Sequence, residues 1–375
     1  MDERSARTAV PDREDSEPPL VFIGGHARSG TTFFCSLFEG HPSVLVAPKE
    51  TQFFANWSKF SHERDVRQRF LRLVGHAWDG RKKVRVDRVE RGANWRPLTY
   101  YRLIEEAHPL CERDLLTFVE SQDPVGMFRE LIRLLERTIR HGDRAPRVVV
   151  EKSPGNEFYF EWLRGRFPNC KMLYIVRHPA HSLHSILKKR RKHGRELTDA
   201  DVLGTILSWR MSVAAAEICA RCLPDAVQHL RFEDLIRDLP GTMARMCAFL
   251  DIPYDRSLER ASHLGQPWRP STHEEERRGP QDGRPNPAML EKNLQDILTS
   301  RQLDLIDRFT RSEREVLGYP SARETMSAAD RQLPEAQGAA RGPLLSRLKA
   351  RLLLSAPPSL TARLVAGRNV ARLRC

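Results

Sequence analysis

The chain lacks several features that would settle the class of a 375-residue protein at once. No apolar run reaches the ~18 residues of a membrane span. The N-terminus, MDERSARTAVPDREDSEPP, has no apolar stretch of the signal-peptide kind. Both absences lead to the expectation of a cytoplasmic, reduced protein. The seven cysteines, Cys35, Cys111, Cys170, Cys219, Cys222, Cys247 and Cys375, are odd in number and scattered, which excludes a disulfide framework. Cys219-Ala-Arg-Cys222 has metal or redox spacing, but no second pair or histidine cluster accompanies it. It lies in an apolar, helix-like run from Val202 to Leu223, so core packing is the preferred reading.

Acidic residues are missing altogether from Arg341 to Cys375, where eight Lys or Arg stand. That tail supplies eight of the net +13, leaving the rest of the chain mildly basic. The balance points to an anionic partner. No helix-turn-helix, zinc-finger or RNA-binding aromatic motif accompanies it, so nucleic acid is not the expected partner. Leu344, Leu345, Leu348 and Leu352 fall at helical spacing with Arg347 and Arg351 among them, and Pro357-Pro358 reads as the end of that helix. This pattern suits either a peripheral membrane or partner-binding helix or a disordered Arg-rich extension.

What is present is an alternation of short apolar runs and helical patterns. Leu20 to Gly24 reads as a buried strand, Thr31 to Glu39 as a helix and Val44 to Ala47 as a second strand. Arg147 to Val150, Met172 to Val176 and His229 to Phe232 are further β-rich runs, and Gly241 to Leu250 is a packing helix. Such alternation implies an α/β fold with a parallel sheet covered on both faces. Residues 1–18 read as disordered, 19–320 as the main domain and 321–375 as a basic tail. Residues 56–146 break the rhythm and read as an acceptor-recognising insertion, with a helix-like stretch from Phe128 to Ile139. Ser271 to Pro287 reads as a loop that carries a basic run at Arg277-Arg278-Gly279.

The strongest local signal is Gly24-Gly25-His26-Ala27-Arg28-Ser29-Gly30-Thr31-Thr32, between a strand and a helix. Glycines permit the tight turn, and the helix N-terminus presents unpaired N–H groups to an anion. Gly25 to Gly30 has G-x-x-x-x-G spacing, but Thr31 stands where a nucleoside triphosphatase has Lys. A second anion site is written into Tyr174-Ile175-Val176-Arg177-His178-Pro179 and the following helix with Ser182 and Ser185. Two separated anion sites suit a nucleotide phosphorylated at both ends. Trp209, in a helix-like run, reads as core.

These residues resemble the sulfotransferases that use 3′-phosphoadenosine-5′-phosphosulfate (PAPS). Arg28, Ser29, Gly30, Thr31 and Thr32 look like that family's 5′-phosphosulfate loop, and Arg177 with Ser185 its 3′-phosphate site. Ala47-Pro48-Lys49-Glu50-Thr51-Gln52-Phe53-Phe54 and Glu151-Lys152-Ser153-Pro154 are similar to segments of heparan-sulfate-type members. Arg231-Phe232-Glu233-Asp234-Leu235, followed by Phe249-Leu250-Asp251-Ile252-Pro253, resembles bacterial and tyrosylprotein members. The resemblance covers about residues 20–320 and implies a three-layer P-loop-containing nucleotide hydrolase-like fold, PAPS as co-substrate, no metal, and in-line displacement at sulfur. It implies Glu50 as general base, and Lys152 and Arg28 near the transferring group. Gln52 stands where heparan-sulfate-type enzymes carry His, so their acceptor is not carried over; His178 stands where Asp or Asn is frequent. Carbohydrate, lipid, peptide tyrosine and secondary metabolite remain open as acceptors. A P-loop kinase, with Val148-Val149-Val150-Glu151 placing magnesium, and a non-catalytic nucleotide-binding adaptor held at membranes by the tail are the rival readings.

Overall fold

The computed structural model of the chain describes residues 17–47, 50–60, 62–66, 69–70, 73, 120–138, 145–192, 194, 198–263, 265–268, 282–290, 293–326 and 358–371. Five parallel strands form one sheet: β1 (Leu20–Gly24), β2 (Val44–Val46), β3 (Val148–Lys152), β4 (Lys171–Val176) and β5 (Val227–Arg231), in the order β2-β3-β1-β4-β5. The strands are the runs of β-branched and aromatic residues that the sequence offers. Register sets Ile23 beside Lys152 and Leu173, and Val176 beside Arg231.

Alternation along each strand sends side chains to both faces. Leu20, Phe22, Leu45, Val149 and Met172 enter one core, and Val21, Ile23, Val44, Val46, Val148, Val150, Leu173 and Ile175 the other. The helices that cover these faces are α1 (Thr31–Leu37), α2 (Phe53–Phe60), α3 (Pro124–Thr138), α4 (Pro179–Lys192), α5 (Asp199–Cys222), α6 (Phe232–Arg237), α7 (Leu239–Leu250), α8 (Ser300–Phe309) and α9 (Pro358–Ala371). A sheet buried on both sides by helices is the expected three-layer α/β architecture.

The described ends of the 56–146 segment are structural. Phe53, Phe54 and Trp57 of α2 meet Met127, Phe128, Leu131 and Leu135 of α3 over Phe22, so these ends are a layer of the core. The α3 helix starts four residues earlier than its periodicity suggests. The Asp123 carboxylate accepts from the Val125 and Gly126 N–H groups, and Pro124 takes the first helical position. Residues 74–119 lie outside the described residues, as do 269–281 with Arg277-Arg278-Gly279, and the Leu344–Leu352 pattern.

One expectation is corrected. The α5 helix is 24 residues long and apolar enough to cross a membrane by length and composition, so one ground for a cytoplasmic reading falls. Its Leu203, Ile206, Trp209, Val213 and Ala216 are buried against α4 and α8, which makes its apolarity a property of the core. Pro358 opens a helix, α9, because a missing N–H costs nothing in the first turn; the stretch that the sequence reads as ending at Pro357-Pro358 lies outside the described residues. The α9 helix packs on α5 and on the turn Asn156–Phe158, burying Ala362. Packing also continues past Tyr319, since Ala322 and Met326 join the same cluster. Cys219 is buried at the end of α5 while Cys222 is exposed, and burial pushes the Cys219 thiol up to about 12. That disposition fits packing.

Candidate active site

All five strands run the same way, so their C-terminal ends share one edge of the sheet. The loop Gly25–Gly30 follows β1, Glu50 follows β2, Lys152 ends β3, Arg177 follows β4 and Phe232 follows β5. A crevice at this edge is where open α/β sheets take ligands.

The loop turns through two glycines with positive φ, Gly25 at 148° and Gly30 at 93°, and through Arg28 at 69°. A Cβ on Gly25 would stand 2.5 Å from the Ile175 carbonyl oxygen, so only glycine fits. Ser29 is fully buried, and its hydroxyl has no hydrogen-bond partner among the described residues. Ser182, in the first turn of α4, has the same property. A buried polar group without a partner is costly, so an orphan hydroxyl at each of two anion corners fits a ligand that supplies acceptors to both. Thr31 is buried at the start of α1 and Thr32 is exposed beside it.

Behind the loop lies a second tier of carboxylates. Gly25 N–H donates to Glu157 Oε2 at 3.2 Å, and Ser212 Oγ donates to Glu157 Oε1. Glu151 accepts from Thr51 N–H and Oγ1 (3.3 and 2.7 Å), Ser153 Oγ (2.6 Å) and Asn156 Nδ2 (2.8 Å). Burial raises both carboxyls above the usual range, and their hydrogen bonds oppose that rise. His26 is held by Ser208 Oγ at 2.8 Å, and burial lowers it to about 4. Cys35 of α1 is pushed up to about 12 by burial, which removes it as a nucleophile.

Strand alternation turns Lys152 to the other side from Glu151. Lys152 Nζ donates to Glu50 Oε1 at 2.6 Å and to Thr32 Oγ1 at 3.0 Å. The side chains of Lys152 and Glu50 are only 5% and 16% exposed. Glu50 Oε2 accepts from Gln52 Nε2 at 3.1 Å, and Gln52 N–H is anchored on Ser153 Oγ at 2.8 Å. The charge partner of Lys152 is therefore Glu50, just past the neighbouring strand β2, and a Glu151–Lys152 pair does not form.

Arg177 is nearly buried at the end of β4. It donates to the carbonyl oxygens of Met289 (2.5 Å) and Arg28 (3.5 Å), the latter inside the loop. Its backbone carbonyl accepts from Trp209 Nε1 at 3.2 Å, and Trp209 is fully buried, as its core reading expects. Ser185 lies half-buried two turns along α4. His178 caps α4: its Nδ1 accepts from Ala180 N–H at 3.2 Å while Nε2 faces the Pro320 carbonyl at 3.0 Å. It thus does the work of Asp or Asn at an N-cap, and burial lowers it to about 4.

The edge therefore gathers the loop, Glu50, Lys152 and Arg177. The sequence profile of the sulfotransferase family matches residues 19–256, which contain every one of them. The chain belongs to the sulfotransferase family. Protein-tyrosine sulfotransferase of Drosophila melanogaster is 24% identical over 67% of this chain and 42% of its own length. Protein-tyrosine sulfotransferase A of Caenorhabditis elegans is 25% identical over 63% and 51%. The chain thus spans about half the length of the curated relatives it matches. Among solved structures, the sulfotransferase domain of the Synechococcus PCC 7002 olefin synthase superposes with a TM-score of 0.54 at 20% identity, covering 82% of this chain and 98% of that one. That likeness is one of fold.

Sequence reasoning assigned no role to Glu157, which holds Gly25, or to Phe232 and Glu233, which lie beneath Arg177 and His178. The signal for the last two was the Arg231-Phe232-Glu233-Asp234 run directly after β5.

Proposed function

We propose that this sulfotransferase-family chain transfers the sulfuryl group of PAPS to an acceptor hydroxyl and releases adenosine 3′,5′-bisphosphate. The observation that carries the reading is the Thr32–Lys152–Glu50 line of contacts, which joins the loop after β1 to the carboxylate after β2. In this reading the loop N–H groups, Ser29, Thr31 and Thr32 hold the 5′ end, and Arg177 and Ser185 hold the 3′-phosphate. The acceptor oxygen attacks sulfur, its proton passes to Glu50, and the electron pair of the broken S–O bond leaves on the 5′-phosphate. Lys152 and Arg28 stabilise the negative charge that moves onto the leaving oxygen. Gln52 and Lys152 fix the Glu50 carboxylate from both oxygens, so it is oriented before an acceptor arrives.

Peptide tyrosine is the acceptor class proposed first, on the names of the matched relatives. Carbohydrate, lipid and secondary-metabolite hydroxyls are the other arms of the acceptor screen. The test is calorimetric titration of adenosine 3′,5′-bisphosphate without metal, on wild type and Arg177→Ala, followed by transfer assays. Binding should weaken by about 2–5 kcal/mol in the variant. Glu50→Gln should lower transfer by roughly 10²–10⁴ while leaving nucleotide affinity within about twofold. Wild type that binds ATP with magnesium instead would replace this reading by a kinase. Nucleotide binding with no transfer to any acceptor would replace it by an adaptor.

We further propose that α9 rests on an anionic lipid surface. Ala362, Val365, Ala366, Asn369 and Val370 face the protein, whereas Leu360 and Leu364, 53% and 65% exposed, share the outer face with Arg363 and Arg368. Apolar anchors among cations, in a stretch without acids, suit such a surface. Full-length protein should sediment with phosphatidylserine-containing vesicles in a salt-sensitive way, and Leu360→Glu/Leu364→Glu should not. Equal sedimentation of the two would remove the proposal.

A further inference from the structure

Phe232 is the first residue of α6, directly after β5, and its ring is buried between the two anion corners. The guanidinium carbon of Arg177 lies 4.2 Å from the ring centroid, a cation–π stack. The ring edge abuts Gly30 so closely that a Cβ there would stand 2.3 Å from Cδ2 and 2.5 Å from Cε2. One aromatic ring therefore touches the loop after β1 and the cation after β4. The next residue continues the grip. Glu233 Oε1 accepts from His178 N–H at 3.0 Å, and its Oε2 accepts from Tyr319 Oη at 2.8 Å. Phe232-Glu233 thus supports Arg177-His178 residue by residue.

The physical consequence lies in how an arginine is held. Carbonyl oxygens at Met289 and Arg28 fix parts of its edge. A cation–π contact holds the guanidinium without using up a hydrogen-bond donor. The ring also sets a spacer of fixed thickness between Arg177 and Gly30, because an aromatic ring does not flex as an aliphatic chain does. We infer that Phe232 is a positioning residue that fixes the Arg177 guanidinium at a set distance from the phosphate loop, and so selects a nucleotide with anions at both its 3′ and 5′ ends. The inference rests on the nucleotide reading above and adds the residue that measures the separation.

The test separates the two. Full-length wild type, Phe232→Leu, Arg177→Ala and the double variant are titrated with adenosine 3′,5′-bisphosphate and with adenosine 5′-monophosphate, which lacks the 3′ anion. Phe232→Leu should weaken the bisphosphate by roughly 3–30-fold, the range a lost cation–π contact implies. It should leave the monophosphate within about twofold. In the Arg177→Ala background the second change should add less than about twofold, since the ring then has no cation to hold. Phe232→Met, closer in volume and unbranched, serves if the leucine variant does not fold, with urea unfolding as the check. Equal weakening of both nucleotides, additive losses in the double variant, or an unchanged bisphosphate affinity would each overturn the role of Phe232. Wild type that ignores the bisphosphate, or an Arg177→Ala variant that binds it normally, would instead overturn the parent reading.

Discussion

The two corners of the sheet edge proposed to hold the ends of the nucleotide are built from different materials. The corner after β1 is made of backbone: glycines at positive φ, a helix N-terminus and a serine, all within nine consecutive residues. The corner after β4 is made of side chains and carbonyls from far apart in the chain, with Arg177 lying on Phe232 and held by Met289, and His178 held by Glu233 and Pro320. The first is held by the local backbone conformation and the close packing around its glycines. The second is rigid only as long as its supports stay packed. Backbone sites therefore resist every side-chain change except at glycine, whereas assembled sites fail through residues that never touch a ligand.

Substitutions test that contrast. The largest effect is expected at Gly25→Ala, where the new Cβ meets a backbone oxygen at 2.5 Å that cannot yield. Stability in urea should fall by about 2–4 kcal/mol, and nucleotide binding with it. A loss below 1 kcal/mol would show that the loop can adjust. Next comes Glu151→Ala, which strips the acceptor from Thr51, Ser153 and Asn156 in a buried setting. A loss of about 2–3 kcal/mol is expected, with transfer falling more than nucleotide affinity because Ser153 anchors Gln52 and hence Glu50. Equal losses would mean that the network serves folding alone.

The smallest effect is one of pH. His178 is lowered from 6.5 to about 4, so the folded protein binds fewer protons than the unfolded chain between those values. Stability is then full above pH 6.5 and falls as pH drops toward 4. His26 adds to the fall in the same window. His178→Asn keeps an N-cap acceptor for Ala180 and removes the titration. The variant should gain on wild type by about 2 kcal/mol between pH 7 and 4.5, read from urea midpoints. A gap that stays constant with pH would mean that His178 titrates in the fold as it does in the unfolded chain.

Legibility in the sequence follows the same division. The five strands and the loop were readable because their signals are local: β-branched runs, paired glycines, a strand followed by a helix. Arg177 was legible from its place between a strand and a helix, Glu50 and Lys152 came from motif resemblance, and the structure sets each at the same edge. The Lys152 partner could have been foreseen, since alternation along β3 separates it from Glu151. Phe232, Glu233 and Glu157 could not, because each acts on a residue 55 or more positions away (for example His178 and Glu233). Proline both stops a helix from within and starts one at its first position; only the first signal is read from Pro357-Pro358 in the sequence, and α9 adds the second.

Strand β3 carries opposite charges on neighbouring residues, Glu151 sunk behind the loop and Lys152 facing Glu50. The site is thereby indexed by the parity of the chain. One extra residue inserted upstream within β3 would deliver Glu151 to the place of Lys152, opposing a carboxylate to a carboxylate, and would aim the lysine elsewhere. Length changes are consequently barred inside the strand and must be taken up in the segments between strands.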